Sequence, residues 1–239
     1  MNNGKNYNER LFSGNWRSAL HFSRFYWLIK QIQKLNIQRA KIIELGCYDA
    51  KTIDFLVKVP LEIQEYLGFD RNWEGGLDIG LQKWKHYPNI HLQYCEKPED
   101  ISNIYEVCNM GICMETLEHI NPEMVEPYLF KLSKVIKGYI FITVPIERGL
   151  PFLLKHVTKD IFSMKDDSFK KGEFFNSIIG RMDKVERCEH KGFDDRVLLK
   201  QVKKYFDIID VKGIFPGMPF VSLNFTIGII AKTKGWQSH

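Results

Sequence analysis

The segment from Lys41 to Ala50 constrains the fold more than any other part of this chain of 239 residues. It reads KIIELGCYDA: an apolar run that ends in an acid, then a glycine and a polar turn, before a helical pattern that begins near Lys51. A glycine permits the sharp backbone bend and the close approach of a ligand at such a turn. The segment therefore predicts the strand–turn–helix opening of a nucleotide-binding α/β unit.

Strand and helix patterns alternate after this opening. Apolar runs at 66–70, 90–94, 110–114 and 139–144 are separated by helical patterns. These runs are almost wholly apolar, which is typical of strands buried on both faces of a parallel sheet. We therefore predict a doubly wound, Rossmann-like α/β fold with helices on both faces.

The chain is predicted to end in a helix and a hairpin. A helical pattern at 194–205, with Asp194 as its cap, precedes two strand patterns at 207–214 and 221–232. Their connection is too short for a parallel crossover, so the two strands should pair antiparallel.

One domain is predicted over residues 1–239. Residues 147–192 are basic and aromatic without a clean strand pattern, and long segments of this kind in a compact domain are usually functional lids or disordered. The expected divisions are an N-terminal helical segment, a cofactor-binding core, a lid insertion and a C-terminal helix with hairpin, at residues 1–37, 38–146, 147–192 and 193–233.

Asp70 is the acid at the end of the second strand, twenty-four residues after Gly46. Neighbouring parallel strands place their carboxyl ends at one edge of the sheet. In nucleotide-binding folds an acid at this place accepts hydrogen bonds from ribose hydroxyls. Asp70 is therefore predicted to bind a ribose.

The charges divide the chain into three parts. Residues 1–41 carry eight Lys and Arg against one acid, residues 42–147 nine against seventeen, and residues 148–239 seventeen against eleven. Basic flanks around an acidic body suggest an anionic partner, although the same pattern also arises from solubility and chance.

Composition also limits the class of protein. No apolar run reaches the length of a membrane span, and the polar stretch Met1–Asn8 does not resemble a signal peptide. The five cysteines lack the CxxC spacing of a zinc site, and no His, Cys, Asp and Glu cluster has metal-ligand spacing along the chain. We expect a cytoplasmic protein without a membrane span or a metal.

The N-terminal helical pattern aligns three basic side chains. Arg17, His21 and Arg24 are spaced at i, i+4 and i+7, which places them on one face. Two interpretations stand: a solvated helix face, or a cationic edge that holds a carboxylate or phosphate at the mouth of a site.

Several blocks together resemble the class I S-adenosylmethionine-dependent methyltransferases, over residues 38–232. They are IIELGCYDA, YLGFD, GICMETLEHI, YIFITVP and the closing hairpin, and METLEHI is the most specific. The resemblance implies a seven-stranded sheet in the order 3-2-1-4-5-7-6 with strand 7 antiparallel. It also implies S-adenosyl-L-methionine as cofactor and S-adenosyl-L-homocysteine as product. The chain departs from the family's glycine-rich loop, because Tyr48 and Ala50 occupy its later glycine positions.

The resemblance assigns cofactor contacts to residues at the ends of the first four strands. They are Glu44, Gly46 and Cys47 at the methionine end, Asp70 and Arg71 at the ribose, Cys95 and Glu96 near adenine, and Met114 and Glu115 near the sulfonium. His119 is the candidate general base for a hydroxyl or amine acceptor, or else a structural residue that caps the helix after it. Further candidates for acceptor binding lie in the first helix and the lid: Arg17, His21, Arg24, Glu147, His156 and His190.

The acceptor is the least determined part of this interpretation. O-methylation of a small molecule, or of an anionic sugar or glycan precursor, agrees best with the basic flanks and the lid. Two alternatives stay open. One is an RNA methyltransferase, although the chain has no dense Lys/Arg stripe. The other is a cofactor-binding protein whose degenerate loop no longer supports catalysis.

Overall fold

The computed structural model describes residues 16–103, 107–161, 169–170, 172–188, 190–215 and 221–236. One sheet of seven strands organises these residues, in the order β3-β2-β1-β4-β5-β7-β6. Strand β7 pairs antiparallel with both β5 and β6, whereas the other pairs are parallel. The predicted strand order and the antiparallel last strand are confirmed.

The strands follow the predicted apolar runs, most of them with extended ends. They are β1 Arg39–Leu45, β2 Glu62–Asp70, β3 Ile90–Tyr94, β4 Cys108–Met114, β5 Ile136–Pro145, β6 Phe206–Gly213 and β7 Thr226–Thr233. The helices are α1 Trp16–Lys34, α2 Thr52–Leu56, α3 Gly76–Trp84, α4 Pro122–Val135, α5 Gly149–Ile161, α6 Glu173–Ile178 and α7 Asp195–Tyr205. No helix in these ranges is long and apolar enough to cross a bilayer.

Helices cover both faces of the sheet. The apolar side chains of α4 and α7 pack with one face, and those of α1, α2 and α3 pack with the other. Burying both faces requires strands that are apolar at nearly every position, and this is why the runs in the sequence were continuous rather than alternating. The carboxyl ends of β1, β2 and β4 consequently meet at one edge.

Two helix starts agree with the sequence signals. The Asn121 side chain accepts a hydrogen bond from the Glu123 N–H at 3.2 Å, and Pro122 is the first residue of α4. The Asp194 side chain accepts from the Arg196 N–H at 3.0 Å at the start of α7. Each cap satisfies a donor that the helix itself cannot pair.

The lid segment contains regular structure that its sequence did not reveal. Helices α5 and α6 lie in it, and Cys188 bridges Lys191 in a short antiparallel pair. The buried carboxylate of Glu173 accepts hydrogen bonds from the N–H groups of Lys170 and Glu186 and lies 3.0 Å from Lys191 Nζ. The Glu173 side chain thus contacts three separate parts of the lid, at Lys170, Glu186 and Lys191.

The predicted start of the last strand was wrong. Residues Val221–Leu223 form a 3₁₀ turn, and β7 begins only at Thr226. Asn224 explains the delay, because its fully buried side chain accepts a hydrogen bond from the Phe215 N–H at 2.8 Å and packs against Gly213. This local bond closes the connection in place of strand pairing.

Candidate functional site

The loop after β1 has a left-handed backbone at Gly46 and at both later positions where the family's loop has glycine. Gly46, Tyr48 and Ala50 have φ angles of +78°, +50° and +55°. Residues other than glycine adopt this left-handed region only rarely, yet two of them do so here at alternate positions. The backbone therefore bends where the later glycines would stand.

Gly46 is the position of closest approach in this loop. Its N–H donates to the Phe69 carbonyl oxygen at 2.7 Å, which joins the end of β1 to β2. A Cβ atom at Gly46 would meet Thr116 Oγ1 at 2.1 Å. Both the positive φ angle and the lack of space require glycine here.

Asp70 links the loop to the end of β2. Its Oδ2 accepts a hydrogen bond from the Tyr48 N–H, and its Oδ1 accepts one from the Asn72 N–H, both at 2.8 Å. Burial raises the pKa of this carboxyl, while these backbone donors act in the opposite direction. The Trp73 N–H is a third backbone donor to this carboxyl, so three of its about four acceptor positions are used and one is left for a ligand hydroxyl.

Glu44 is buried at the end of β1 and engaged by two hydroxyl groups. Thr52 Oγ1 donates to Oε1 at 2.7 Å, and the Tyr66 hydroxyl donates to Oε2 at 2.5 Å. Burial raises the pKa of Glu44 to about 7, although both hydrogen bonds lower it. Glu44 therefore changes charge near neutral pH.

A small pocket of about 40 Å³ opens between α1 and the β1 loop. Its lining brings together five residues that the sequence proposed separately: Arg24, Glu44, Gly46, Cys47 and Met114. Arg24 was proposed for the acceptor and the others for the cofactor, so the pocket joins the two predicted halves of the site.

The predicted adenine contacts, Cys95 and Glu96, follow β3. Glu96 forms an exposed ion pair at 3.3 Å with Arg71, which was predicted to lie at the ribose. Cys95 is buried, its N–H donates to the Asp70 carbonyl oxygen at 2.8 Å, and its Sγ lies 3.7 Å from the Tyr128 hydroxyl. Burial raises the pKa of this thiol to about 11, so it stays protonated at neutral pH.

Two carboxylates follow β4 directly. Glu115 has a φ angle of +52°, and its N–H donates to the Thr143 carbonyl oxygen at 2.9 Å. Glu118 is 1% exposed, and neither of its carboxylate oxygens has a hydrogen-bond partner among the residues described. Burial raises the pKa of both carboxyls, and the charge of Glu115 raises that of Glu118 further.

Three cations face these acids. Arg24 lines the pocket, and its charge lowers the pKa of Glu44, Glu115 and Glu118. Lys155 from the lid forms an ion pair with Glu147. Arg187, also from the lid, donates to the main-chain carbonyl oxygen of Glu118 rather than to its carboxylate.

The tertiary structure joins two histidines that lie far apart in the sequence. The rings of His119 and His190 are 4.2 Å apart between centroids and nearly perpendicular, at 72°. Ligand atoms of Glu118, His119 and His190 all lie within 4.8 Å of one another. We call these three residues the acid–imidazole cluster.

The other candidates for acceptor binding are placed differently. His21 lies half-buried on α1 with Arg24, whereas the side chain of Arg17 is outside the described residues. His156 is 6% exposed and lies among the rings of Phe152, Phe169 and Phe174, so it packs inside the lid.

Comparison with solved structures settles the fold. A methyltransferase from Clostridium acetobutylicum superposes with a TM-score of 0.65 at 13% identity, over 96% of each chain. The PH0226 protein of Pyrococcus horikoshii gives 0.64 at 13% identity, over 97% of this chain and all of that one. The magnesium protoporphyrin IX methyltransferase of Synechocystis was solved with S-adenosylhomocysteine. It superposes with a TM-score of 0.60 at 12% identity, over 98% of this chain and 90% of that one. This chain has the class I methyltransferase fold.

Neither protein-family models nor curated proteins give a match to the sequence. The class I methyltransferase fold is thus recognised here from strand order and three-dimensional shape. Within this fold, five residues that shape the site were not among the candidates from sequence: Thr52, Tyr66, Thr116, Glu118 and Arg187. Two of them, Thr116 and Glu118, had a sequence signal, since both lie inside the METLEHI block.

The large residue at the second glycine position is accommodated by the neighbouring helix. A Cβ atom at Gly76, the first residue of α3, would meet the Tyr48 ring at 2.2 Å. The ring therefore packs against the start of α3, with Trp73 at 6.5 Å between centroids. A loop with tyrosine at this position is compatible with the methyltransferase fold because α3 has a glycine to receive the ring.

Proposed function

We propose that this protein is an S-adenosylmethionine-dependent methyltransferase whose cofactor binds along the carboxyl ends of β1, β2 and β4. The observation that supports this most is the alternating left-handed backbone at Gly46, Tyr48 and Ala50 beside the Asp70 carboxylate. Such a backbone would suit a cofactor-binding loop, and an acid at the end of the second strand is suited to ribose hydroxyls.

The residues present fit the cofactor at each of its parts. Gly46, Cys47 and Glu44 would hold the methionine end. Asp70, with Arg71 beside it, would accept hydrogen bonds from the ribose, and Cys95 with Glu96 would border the adenine. Met114, which lines the same pocket, would lie near the sulfonium. When bound, the cofactor supplies an electrophilic methyl group that an acceptor lone pair takes as the carbon–sulfur bond breaks and its electrons remain on sulfur.

The acceptor is proposed to be a hydroxyl group of a small molecule or of an anionic sugar or glycan precursor. Glu115, Glu118 and His119 follow Met114 within five residues, so the acceptor would enter from that side. A hydroxyl must lose its proton to become a nucleophile, and His119 is the exposed imidazole at this place. Arg24, Lys155 and Arg187 would provide the positive charge that attracts an anionic acceptor.

The first test is calorimetric titration of the full chain with S-adenosylhomocysteine. We expect micromolar binding that Asp70→Ala weakens at least tenfold, equal to about 1.4 kcal/mol. Asp207→Ala, which removes an exposed acid from β6, is the matched control and should bind like the wild type. Wild-type protein that fails to bind would contradict the proposal and would favour a degenerate site in which Tyr48 and Ala50 replace functional glycines.

A second measurement addresses the acceptor. Methyl transfer should be assayed on hydroxylated small molecules and anionic sugars, with an RNA pool in parallel. Transfer to the sugars or small molecules would support the proposal. Transfer to RNA, with binding that falls steeply as salt increases, would replace it with RNA methylation. Cofactor binding without turnover on any acceptor would favour a regulatory protein.

A further inference from the structure

We propose that the acid–imidazole cluster, Glu118, His119 and His190, binds a divalent first-row transition-metal ion. The ligand atoms of the three side chains lie within 4.8 Å of one another, so small side-chain rotations bring all three to a single ion. Glu118 and His119 come from the turn after β4, whereas His190 comes from the lid.

The second observation is the unpartnered carboxylate of Glu118. The residue is 1% exposed, and both of its oxygens are buried without a hydrogen-bond partner among the described residues. Leaving a carboxyl group buried and unbonded is costly, and such groups in proteins are normally paired, hydrogen-bonded or bound to a metal. The nearby guanidinium of Arg187 does not satisfy it, since that group donates to the main-chain carbonyl. A cation between Glu118 and the two imidazoles would satisfy both oxygens.

The donor set indicates which ions fit. Two imidazole nitrogens with one carboxylate suit Zn²⁺, Fe²⁺, Co²⁺ or Mn²⁺ better than Ca²⁺ or Mg²⁺, which prefer oxygen donors. Three protein ligands also leave coordination positions open, as in catalytic rather than structural metal sites. The charge of Glu115 also acts on Glu118, and it increases the negative charge that the ion would neutralise.

The role of the ion rests on the proposed methyltransferase function, although the site itself does not. A hydroxyl group of the acceptor would occupy an open position, and coordination lowers the pKa of such a group. Its proton would pass to water, which leaves the oxygen as the nucleophile. His119 would then act as a ligand instead of as the general base. The ion would also join the lid to the core of the sheet.

Titration with Co²⁺ tests the site without any substrate or cofactor. Co²⁺ bound by imidazole shows visible absorption bands, and Zn²⁺ or Mn²⁺ added afterwards would compete with it. For the full chain treated with chelator, we expect one ion per chain. His190→Ala and Glu118→Gln should each weaken binding at least tenfold. His86→Ala, which removes an exposed histidine in the loop after α3, is the control and should leave binding unchanged.

Glu118→Gln also separates the proposal from a purely structural role. If Glu118 is only a protonated acid that fills space, its isosteric amide should change neither the Co²⁺ spectrum nor the affinity. Binding that survives His190→Ala and Glu118→Gln would likewise overturn the proposal. Circular dichroism of each variant establishes that it has folded, and Glu118→Asp, which keeps the carboxylate, should restore part of the affinity.

Parallel titration with S-adenosylhomocysteine distinguishes this site from the proposed function. Co²⁺ binding without S-adenosylhomocysteine binding would retain the metal site and contradict the methyltransferase. S-adenosylhomocysteine binding without Co²⁺ binding would retain the methyltransferase proposal and contradict the metal site. Where both bind, the role in catalysis predicts that chelation abolishes methyl transfer while S-adenosylhomocysteine affinity changes less than twofold.

Discussion

Thr116 occupies the space that a side chain at Gly46 would need. A Cβ atom on Gly46 would stand 2.1 Å from Thr116 Oγ1, and that hydroxyl is held by the carbonyl oxygens of Leu45 and Met114 at 3.3 and 3.1 Å. The turn after β4 therefore packs directly on the loop after β1. The loop proposed to bind the cofactor and the turn proposed to face the acceptor are consequently parts of one packed unit.

Gly46→Ala should destabilise the protein and abolish binding of S-adenosylhomocysteine. We expect a loss of about 2–4 kcal/mol in the free energy of unfolding, from left-handed strain together with displacement of Thr116. Gly75→Ala is the matched control, because Gly75 has a similar φ of +73° but open space around its Cβ position. Gly75→Ala should lose only about 1 kcal/mol in the free energy of unfolding and should keep the affinity for S-adenosylhomocysteine. Denaturant titration and calorimetry measure both quantities, and equal losses would contradict the steric argument.

The pH dependence of stability should report on Glu44. Its folded-state pKa of about 7 lies above the ordinary value of 4.5, so the folded protein holds this proton more tightly than the unfolded chain. The protonated Glu44 therefore contributes about 3 kcal/mol to the free energy of unfolding. This contribution is complete below pH 4.5 and is lost as the pH rises through 7. Glu44→Gln should remove this part of the slope when denaturation is measured across that range. An unchanged slope would assign the titration to other acids.

Arg24 should matter more at alkaline than at acidic pH. Its charge favours the ionised forms of Glu44, Glu115 and Glu118, which burial keeps protonated to higher pH than usual. Arg24→Gln should therefore lower the free energy of unfolding by about 1 kcal/mol more at pH 8 than at pH 5, as measured by denaturant unfolding. Arg39→Gln, an exposed arginine at the start of β1, should show no such difference. A cost for Arg24→Gln that is independent of pH would indicate lost packing instead.

Glu173 should control the order of the lid. The backbone N–H groups of Glu186 and Lys170, then Lys191, lower its pKa to about 2, so the stability it contributes is present above the ordinary pKa of 4.5 and is lost as the pH falls through 2. Glu173→Gln should speed amide hydrogen exchange in residues 172–188 at neutral pH, while the strands keep their protection. Glu123→Gln, at an exposed acid of α4, serves as control. If amide hydrogen exchange in residues 172–188 is unchanged in Glu173→Gln, the aromatic packing is sufficient to keep this segment ordered.

The sequence was sufficient for the architecture because its signals were local and repeated. Continuous apolar runs specify strands buried on both faces, and the cap residues Asn121 and Asp194 mark helix starts within one turn. The polar end of β2 identified Asp70, because parallel strands align their carboxyl ends whatever their separation along the chain, and the family resemblance assigned Glu44 and Glu115 to the same edge. The start of β7 was misplaced because the buried Asn224 side chain, a tertiary feature, closes the connection before it.

The contacts across the site depended on the tertiary structure alone. Spacing along the chain cannot show that His190 lies 4.2 Å from His119, since the lid between them folds by packing its aromatic rings around His156. Nor can it show that Tyr48 is tolerated at a glycine position because Gly76 receives its ring. Local patterns determine the strands and turns that carry the site, whereas the burial of Glu118 and the meeting of the two imidazoles depend on how distant segments pack.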